Sequence, residues 1–193
     1  IEIIKTAHSL KIPTSATIMY GHIDNPEHWA MHLSIIRDIQ KETGGFTELV
    51  PLSFVYKDSP LYLENPEYVR KGPSTEEIKK MHAISRIMLN GWINNIQASW
   101  TKLGPEFAQQ LLKIGVNDLG GTLMNESISR SAGSNFGQEI TAMEMVKIIR
   151  NADKIPARRS TIYKICETYE SHDPKNLAPL VSRKGNDPLK FIN

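Results

Sequence analysis

Two adjacent glycines, Gly120 and Gly121, lie in a polar stretch that also contains Asn117, Asp118 and Glu126. Adjacent glycines weaken a strand, so they usually mark a bulge or a position where a ligand approaches the backbone itself. Carboxylates beside such a position can bind ribose or ribityl hydroxyls, or an ammonium group. The alternative for Asp118 and for Glu126 is that each only stabilises a turn.

A hydroxyl-rich segment, residues 127–134, follows the glycines and contains one guanidinium group, that of Arg130. The planar fork of an arginine suits a carboxylate, such as that of an amino-acid substrate. A surface ion pair is the alternative role for Arg130. The neighbouring residues Arg158 and Arg159 are more typical of solvated charges than of an anion clamp.

Tyr20 and His22 flank a glycine at the end of the first apolar segment. The imidazole can donate a hydrogen bond or move a proton near neutral pH, which makes His22 the candidate catalytic residue. A hydrogen-bonded strand end without chemistry is the alternative for this tripeptide.

Two further groups combine polar side chains with aromatic rings. Ser53 and Tyr56 are candidates for contact with a ligand. Gln97, Ser99 and Trp100 supply an amide, a hydroxyl and a flat ring, a set suited to holding an adenine, a uracil or a phenol. Packing is the alternative for both groups, because a tryptophan at a strand end commonly covers a core.

Four short apolar segments position these groups, and they alternate with helical patterns, which indicates βα units and a parallel sheet. The predicted strands are residues 14–19, 46–54, 92–100 and 116–123. The predicted fold class is α/β, the C-terminal half of a (βα) TIM-type barrel with outer helices, whose complete form needs ~250 residues. An independent doubly wound domain is the alternative, but no Gly-rich nucleotide fingerprint follows the first strand.

Capping signals mark several helices. Asn25 is a predicted N-cap with a proline after it, and capping boxes are predicted at Ser74 and Thr141. A further helix is predicted over residues 105–114. Residues 57–73 contain three prolines and form an insertion that we expect to cross the surface or the site.

The chain has 193 residues and a formal charge of +2. Its charges are spread out, so they indicate neither nucleic acid nor an anionic membrane as a partner. No apolar run approaches the ~20 residues that span a bilayer, and we expect a cytoplasmic protein. Cys166 is the only cysteine, which excludes an internal disulfide and predicts no metal site built mainly from cysteines of this chain. Residues 1–10 resemble the later turns of a helix, so we expect the sequence to begin mid-protein.

Residues 115–133, which read GVNDLGGTLMNESISRSAG, closely resemble the last barrel strand and following loop of the tyrosine-using subunit of FO synthase. Matches in the same order are residues 14–22, 44–54, 96–104 and 156–163. Relatives that make menaquinone through futalosine share the Tyr-Gly-His strand end but usually differ at the paired glycines. The resemblance therefore favours the deazaflavin branch, and those relatives are the alternative within the enzyme class.

The resemblance implies a radical S-adenosylmethionine transferase whose N-terminal half holds a 4Fe-4S cluster on three cysteines, a motif absent from this chain. In that family, S-adenosylmethionine is reduced to methionine and a 5′-deoxyadenosyl radical, which attacks L-tyrosine. The 4-hydroxybenzyl fragment is then joined to 5-amino-6-(D-ribitylamino)uracil. The chain alone is expected to be inactive, because it lacks the cluster motif.

The resemblance also implies that residues 1–152 are the last βα units of the barrel and residues 153–193 a C-terminal extension packed on it. The missing N-terminal half and the other FO synthase subunit are the expected protein partners. A non-catalytic substrate-binding fragment is the alternative outside the enzyme class. His22 is assigned to proton transfer, Arg130 to a carboxylate, and Asp118 or Glu126 to hydroxyls. The full set of implied substrate- or S-adenosylmethionine-binding residues is Tyr20, Ser53, Gln97, Ser99, Trp100, Asn117, Asp118, Gly120, Gly121, Glu126 and Arg130.

Overall fold

Helices and strands alternate through the first half of the computed structural model, which describes residues 1–123 and 125–175. The elements in chain order are α1 (Glu2–Ser9), β1 (Thr14–Tyr20), α2 (Pro26–Thr43), β2 (Phe46–Ser53), α3 (Pro60–Glu64), α4 (Thr75–Leu89), α5 (Trp100–Leu103), α6 (Pro105–Leu111), α7 (Ile128–Ser131), α8 (Ala142–Asn151), β3 (Ala157–Arg159) and β4 (Ile165–Thr168). No helix in the described part of the chain is both long enough and apolar enough to cross a membrane.

The sheet is parallel, as predicted. β1 pairs with β2 from Ser15 opposite Glu48 to Tyr20 opposite Ser53. Two single bridges extend the same parallel order, one from Leu49 to Ile96 and one from Gln97 to Asp118. The chain is therefore an α/β protein with parallel strands, and the first two predicted strands are confirmed.

The two later strands were predicted too long. Residues 92–100 and 116–123 pair only through the single bridges, so neither forms a full strand. Trp100 already begins helix α5, and Gly120 and Gly121 have φ values of 80° and 118°, which end the extended conformation. Neither the start of α5 nor the positive φ of the two glycines can be deduced from the composition of the segment.

The two faces of the sheet differ in burial. Ala16, Ile18 and Tyr20 of β1 are buried on the face that α2 and α4 cover. The intervening residues Ser15 and Met19 are exposed, and Glu48 of β2 is half-buried beside them. We call the second face, which carries Ser15, Glu48, Gln97 and Asp118, the open face. Buried and exposed residues therefore alternate along β1, as expected for a strand that packs against helices on one face only.

Local capping explains where the main helices begin. The Asn25 side chain accepts hydrogen bonds from the backbone N–H groups of Glu27 and His28, at 3.0 and 3.1 Å. Capping boxes are present at Ser74 with Glu77 and at Thr141 with its partner three residues on. All three predicted N-termini are confirmed, because each depends only on residues within one turn.

The insertion, residues 57–73, folds back onto the end of β1. It contains α3, and its Arg70 N–H donates to the His22 carbonyl at 2.7 Å. The Arg70 side chain pairs with Glu77 of α4 at 2.6 Å. The insertion is therefore ordered against the carboxyl end of the strands.

The C-terminal hairpin consists of β3 and β4, which pair antiparallel. Its base is held by Tyr169, whose N–H donates to the Pro156 carbonyl at 2.8 Å. Arg150 of α8 donates to the carbonyls of Tyr169 and His172, at 2.8 and 2.7 Å. The predicted extension, residues 153–193, is described only to residue 175.

We expect Ser74→Ala to lower the free energy of unfolding by about 1 kcal/mol, because it removes the cap of α4. Thr75→Ala is the matched control: Thr75 is the next residue of the same helix, is exposed, and its hydroxyl does not cap the helix. Urea denaturation of both variants measures the difference. Equal losses would show that the capping box contributes nothing specific.

His82 is fully buried in α4, with Nδ1 2.8 Å from the Ile78 carbonyl oxygen, and burial lowers its pKa. The folded chain therefore keeps His82 neutral where the unfolded chain takes up a proton, so its contribution to stability is complete above about pH 6.5 and is lost as pH falls. We expect His82→Asn to lose less stability than wild type between about pH 7 and pH 5. His28→Asn, at an exposed position of α2, is the control and should keep the wild-type pH dependence. Urea denaturation at each pH gives the free energy of unfolding. If this free energy changed equally with pH in all three proteins, the prediction would be contradicted.

Candidate functional site

The carboxyl ends of the parallel strands meet at one edge, where α/β sheets usually bind ligands. Tyr20 and Ser53 lie opposite each other at the ends of β1 and β2. Gln97 and Asp118 pair in a single bridge further along the sheet. Because Leu49 in the middle of β2 bridges Ile96, Gln97 and Asp118 lie level with the middle of β2, below Tyr20 and Ser53.

Residues 118–121, the glycine turn, have a defined conformation at this edge. The Asp118 carboxylate accepts a hydrogen bond from the Gly120 N–H at 2.6 Å. A Cβ on Gly120 would lie 2.9 Å from Oε1 of Gln97, and its φ of 80° also favours glycine. The Gly121 carbonyl accepts from the Trp100 indole N–H at 2.9 Å, so the turn is held from both sides.

Gly121 itself is exposed. No described residue lies within 4 Å of a Cβ placed there, although its φ of 118° still requires glycine. The described part of the chain therefore leaves the backbone uncovered at this position, which allows a flat ligand to approach the peptide groups closely.

A second polar group lies on the open face nearer the amino ends of the strands. The Glu48 carboxylate accepts from the Ser15 hydroxyl at 2.8 Å and from the Gln97 amide at 3.1 Å. The Tyr163 hydroxyl of the C-terminal hairpin also donates to Glu48. This contact closes the amino side of the open face with protein groups.

Sequence reasoning did not select Glu48 or Tyr163. The available signal for Glu48 was a charged residue on the open-face register of an otherwise apolar strand. Tyr163 gave no comparable signal, because its position depends on how the C-terminal hairpin folds back.

Arg159 corrects the expectation of a solvated charge. Its guanidinium forks onto Asp118, with Nη2 donating to Oδ1 at 3.0 Å and Nε donating to Oδ2. The same guanidinium lies over the Tyr163 ring, 4.0 Å from its centre. Its neighbour Arg158 is exposed, as expected, and contacts Glu167 of the hairpin at 3.4 Å.

His22 is half-buried at the end of β1. Its Nδ1 accepts a hydrogen bond from the Ile23 N–H at 2.7 Å, and its ring meets Phe54 edge-on at 5.9 Å. Asp24 fixes the turn by accepting from the N–H groups of Gly21 and His22, at 2.8 and 2.9 Å. With Nδ1 accepting, the neutral ring carries its proton on Nε2, so Nε2 is the nitrogen that can donate a hydrogen bond to a ligand.

Tyr20 lies under this edge, on the helix-covered face. It is fully buried and packs edge-on against Trp29 of α2, with ring centres 5.4 Å apart. Burial raises its pKa well above the usual value. Its contacts are those of a core residue.

Two other selected residues engage their side chains within the protein. Asn117 Oδ1 accepts from the Ile96 N–H at 2.9 Å and from Arg86 of α4 at 2.8 Å, which fixes the last bridge. Ser99 lies 3.1 Å from the Thr101 hydroxyl. Neither side chain is directed to a ligand by these contacts.

Glu126 and Arg130 lie in the loop that follows the glycine turn. Glu126 accepts from the N–H groups of Ile128 and Ser129, both at 3.0 Å, and so begins α7. Arg130 is 3% exposed and donates to Asn125. Both residues organise this loop.

Ser53 lines a pocket of about 390 Å³ between the insertion, α5 and the loop after α7. Lys102 of α5 contributes an ammonium group to its wall and donates to the Ser129 hydroxyl at 3.0 Å. Burial lowers the pKa of Lys102. Other lining residues include the aromatic side chains of Phe54, Tyr56, Phe107 and Phe136, the amide of Asn135 and aliphatic groups such as Ile78 and Leu103. An ammonium group beside aromatic rings suits a ligand with both a ring and a carboxylate.

The fold and this edge define a parallel α/β chain with a ligand-accessible glycine turn, and comparison with known proteins identifies its family. Residues 43–172 match the model of the CofH/MqnC C-terminal region. The chain belongs to this family.

Named relatives agree with the match. The 5-amino-6-(D-ribitylamino)uracil--L-tyrosine 4-hydroxyphenyl transferase of Methanocaldococcus jannaschii is 52% identical over 167 residues, which are 86% of this chain and 46% of that protein. A transferase of Methanosarcina mazei with the same name, numbered 1, is 47% identical over 92% of this chain and 47% of its own length. An FO synthase of Mycobacterium leprae is 50% identical over 84% of this chain and 19% of its own length. The predicted resemblance is confirmed, and the chain spans about half the length of the archaeal relatives.

We expect Gly120→Ala to cost more stability than Gly91→Ala. Both glycines have nearly the same φ, 80° and 79°, but only at Gly120 would a Cβ meet a neighbour, Gln97. Strain at positive φ should cost each variant ~1 kcal/mol, and displacement of Gln97 should add about 1 kcal/mol for Gly120→Ala. Urea denaturation gives both values. Equal losses of stability in the two variants would show that Gln97 moves away from the added Cβ at no energetic cost.

Proposed function

We propose that this chain is the C-terminal part of a radical S-adenosylmethionine transferase. That enzyme joins the 4-hydroxybenzyl group of L-tyrosine to 5-amino-6-(D-ribitylamino)uracil during deazaflavin coenzyme biosynthesis. The observation that carries the proposal is the 47–52% identity to an FO synthase and to two 5-amino-6-(D-ribitylamino)uracil--L-tyrosine 4-hydroxyphenyl transferases, over at least 84% of the chain.

The proposal places the chain in a (βα) barrel that a preceding segment completes. Within the described residues, β1 pairs only with β2, so its other edge is available to a further strand. The open face then becomes the barrel interior. Residues 153–193 are the proposed extension, and its described part, to residue 175, contacts the amino side through Tyr163 and Glu48.

The carboxyl edge supplies groups suited to the proposed substrates. The glycine turn and Gln97 offer backbone and amide groups to the edge of a planar uracil, and Asp118, whose oxygens already accept from Gly120 and Arg159, is proposed to hold the turn. His22 is proposed to contact the substrate through its Nε2–H, and a proton-transfer role would require its protonated form and a break in the Ile23 contact. Under the proposal, these groups bind the substrates and orient them, which is what directs a reactive fragment to one position.

The pocket beside Ser53 is the proposed place for the tyrosine. Lys102 is better situated than Arg130 to bind the amino-acid carboxylate, because Lys102 lines the pocket whereas Arg130 is buried against Asn125. Glu126, whose oxygens accept backbone N–H groups of α7, is proposed to shape the loop and not to bind hydroxyls.

The residues of this chain do not supply the ligands that the 4Fe-4S cluster of the proposed enzyme needs. Cys166 is its single cysteine and is exposed, and the described residues contain no group of three or more His, Cys, Asp or Glu side chains placed to hold a metal ion. A 4Fe-4S cluster needs several thiolates. Under the proposal, its ligands come from the part of the enzyme that precedes these residues.

Complementation tests the proposal. This chain is co-expressed with the part of the Methanocaldococcus jannaschii transferase that it does not cover, and the pair is purified anaerobically. We expect 5′-deoxyadenosine to form only when both parts and L-tyrosine are present, with L-phenylalanine as the substrate control. His22→Ala should reduce the rate by about 100-fold if it transfers the proton.

A co-purifying pair that binds S-adenosylmethionine but shows no tyrosine-dependent turnover would contradict the proposed activity. Arg158→Ala serves as the surface control, because its side chain lies on the exposed hairpin. It should retain the wild-type rate.

A further inference from the structure

Arg159 connects the C-terminal hairpin to the glycine turn, although the two are 41 residues apart in sequence. We propose that Arg159 is a positioning residue for the site, acting through Asp118 on the backbone of Gly120. This inference rests on the proposed function in one respect, namely that the glycine turn contacts a substrate. It assigns a role in the site to the C-terminal hairpin.

The first link is the ion pair between Arg159 and Asp118. Nη2 donates to Oδ1 at 3.0 Å and Nε donates to Oδ2, so both carboxylate oxygens are engaged by one rigid fork. The side chains are only 23% and 9% exposed, which limits competition from water. A forked pair fixes the rotation of the carboxylate, which a single contact does not.

The second link leads from the carboxylate to the turn. The Asp118 oxygen that accepts from Nη2 of Arg159 is the same Oδ1 that accepts from the Gly120 N–H at 2.6 Å. Rotation of the carboxylate would therefore move the acceptor of the Gly120 N–H. The Trp100 indole holds the other side of the turn through the Gly121 carbonyl.

The guanidinium is itself held in place. It stacks over the Tyr163 ring at 4.0 Å, and its Nη1 donates to the Ser160 carbonyl at 3.1 Å. Tyr163 has a φ of 62°, which is unusual for a bulky residue, and its hydroxyl is anchored on Glu48. The hairpin tip therefore presents Arg159 in one orientation.

The role of Arg159 can be separated from folding of the hairpin. The base of the hairpin is held by the hydrogen bond from Tyr169 to Pro156 and by Arg150. Arg158 belongs to the same strand but faces Glu167 within the hairpin. Arg158→Ala is consequently a matched control that changes one arginine of β3 without touching Asp118.

Amide hydrogen exchange of the full chain, followed by NMR, tests the link directly. We expect Arg159→Ala to speed exchange of the Gly120 N–H about tenfold, because its acceptor is no longer held. The Ala98 N–H, which donates to the Asp118 backbone carbonyl at 2.9 Å, should keep its wild-type rate. Arg159→Lys keeps the charge but loses the fork, so a smaller acceleration is expected.

Three outcomes of the exchange experiment would overturn the proposal. They are an unchanged Gly120 rate in Arg159→Ala, an equal acceleration in Arg158→Ala, and an equal acceleration of Gly120 and Ala98. The last would show that Arg159 only stabilises the sheet as a whole. This readout needs no turnover, so it stands even if the proposed activity fails.

The complemented enzyme gives the functional arm. Arg159→Ala should lower kcat/KM about tenfold while the pair still co-purifies, and Arg159→Lys should recover part of the loss. Unchanged kcat/KM in Arg159→Ala, in a preparation whose wild type is active, would refute a role in the reaction. If wild type itself is inactive, the proposed function fails and the exchange results alone decide the link.

Discussion

The carboxylate of Asp118 is the interaction on which this edge of the protein depends. Its backbone pairs with Gln97 and thereby adds the last parallel segment to the sheet. Its side chain accepts from the Gly120 N–H and from the Arg159 guanidinium. A half-buried carboxylate is tolerable only when its charge is compensated. Because one residue serves the sheet, the turn and the hairpin, none of the three can be described independently of the others.

Local features of the sequence predicted much of the framework. The N-cap at Asn25 and the boxes at Ser74 and Thr141 need only residues within a turn, and all are present. β1 and β2 were predicted because each is a short apolar segment with β-branched or aromatic residues that alternates with helical patterns. The later strands were predicted too long, because Trp100 and Gly120 end them for reasons that lie in tertiary contacts.

The site was predicted in part for the same physical reason. Gln97, Asp118 and the two glycines could be selected because each is unusual inside an apolar segment. Glu48, Arg159 and Tyr163 could not, since their significance arises from contacts between residues up to 115 positions apart. A charge pattern along the chain does not reveal which arginine of an adjacent pair will be half-buried. Only the fold distinguishes Arg159 from Arg158.

The two ends of the open face differ in how far protein groups cover them. This difference supports the proposed barrel interior, open at one end. At the amino side, Glu48 is satisfied by Ser15, Gln97 and the hydroxyl of Tyr163, so protein groups fill its acceptor positions. At the carboxyl side, no residue of the described ranges lies within 4 Å of a Cβ placed on Gly121. The same hairpin covers the amino side through Tyr163 and contacts the glycine turn through Asp118. A change in the hairpin should therefore affect both ends of the open face. The C-terminal hairpin therefore contacts both ends of the open face, which is the observation behind its proposed role in the site.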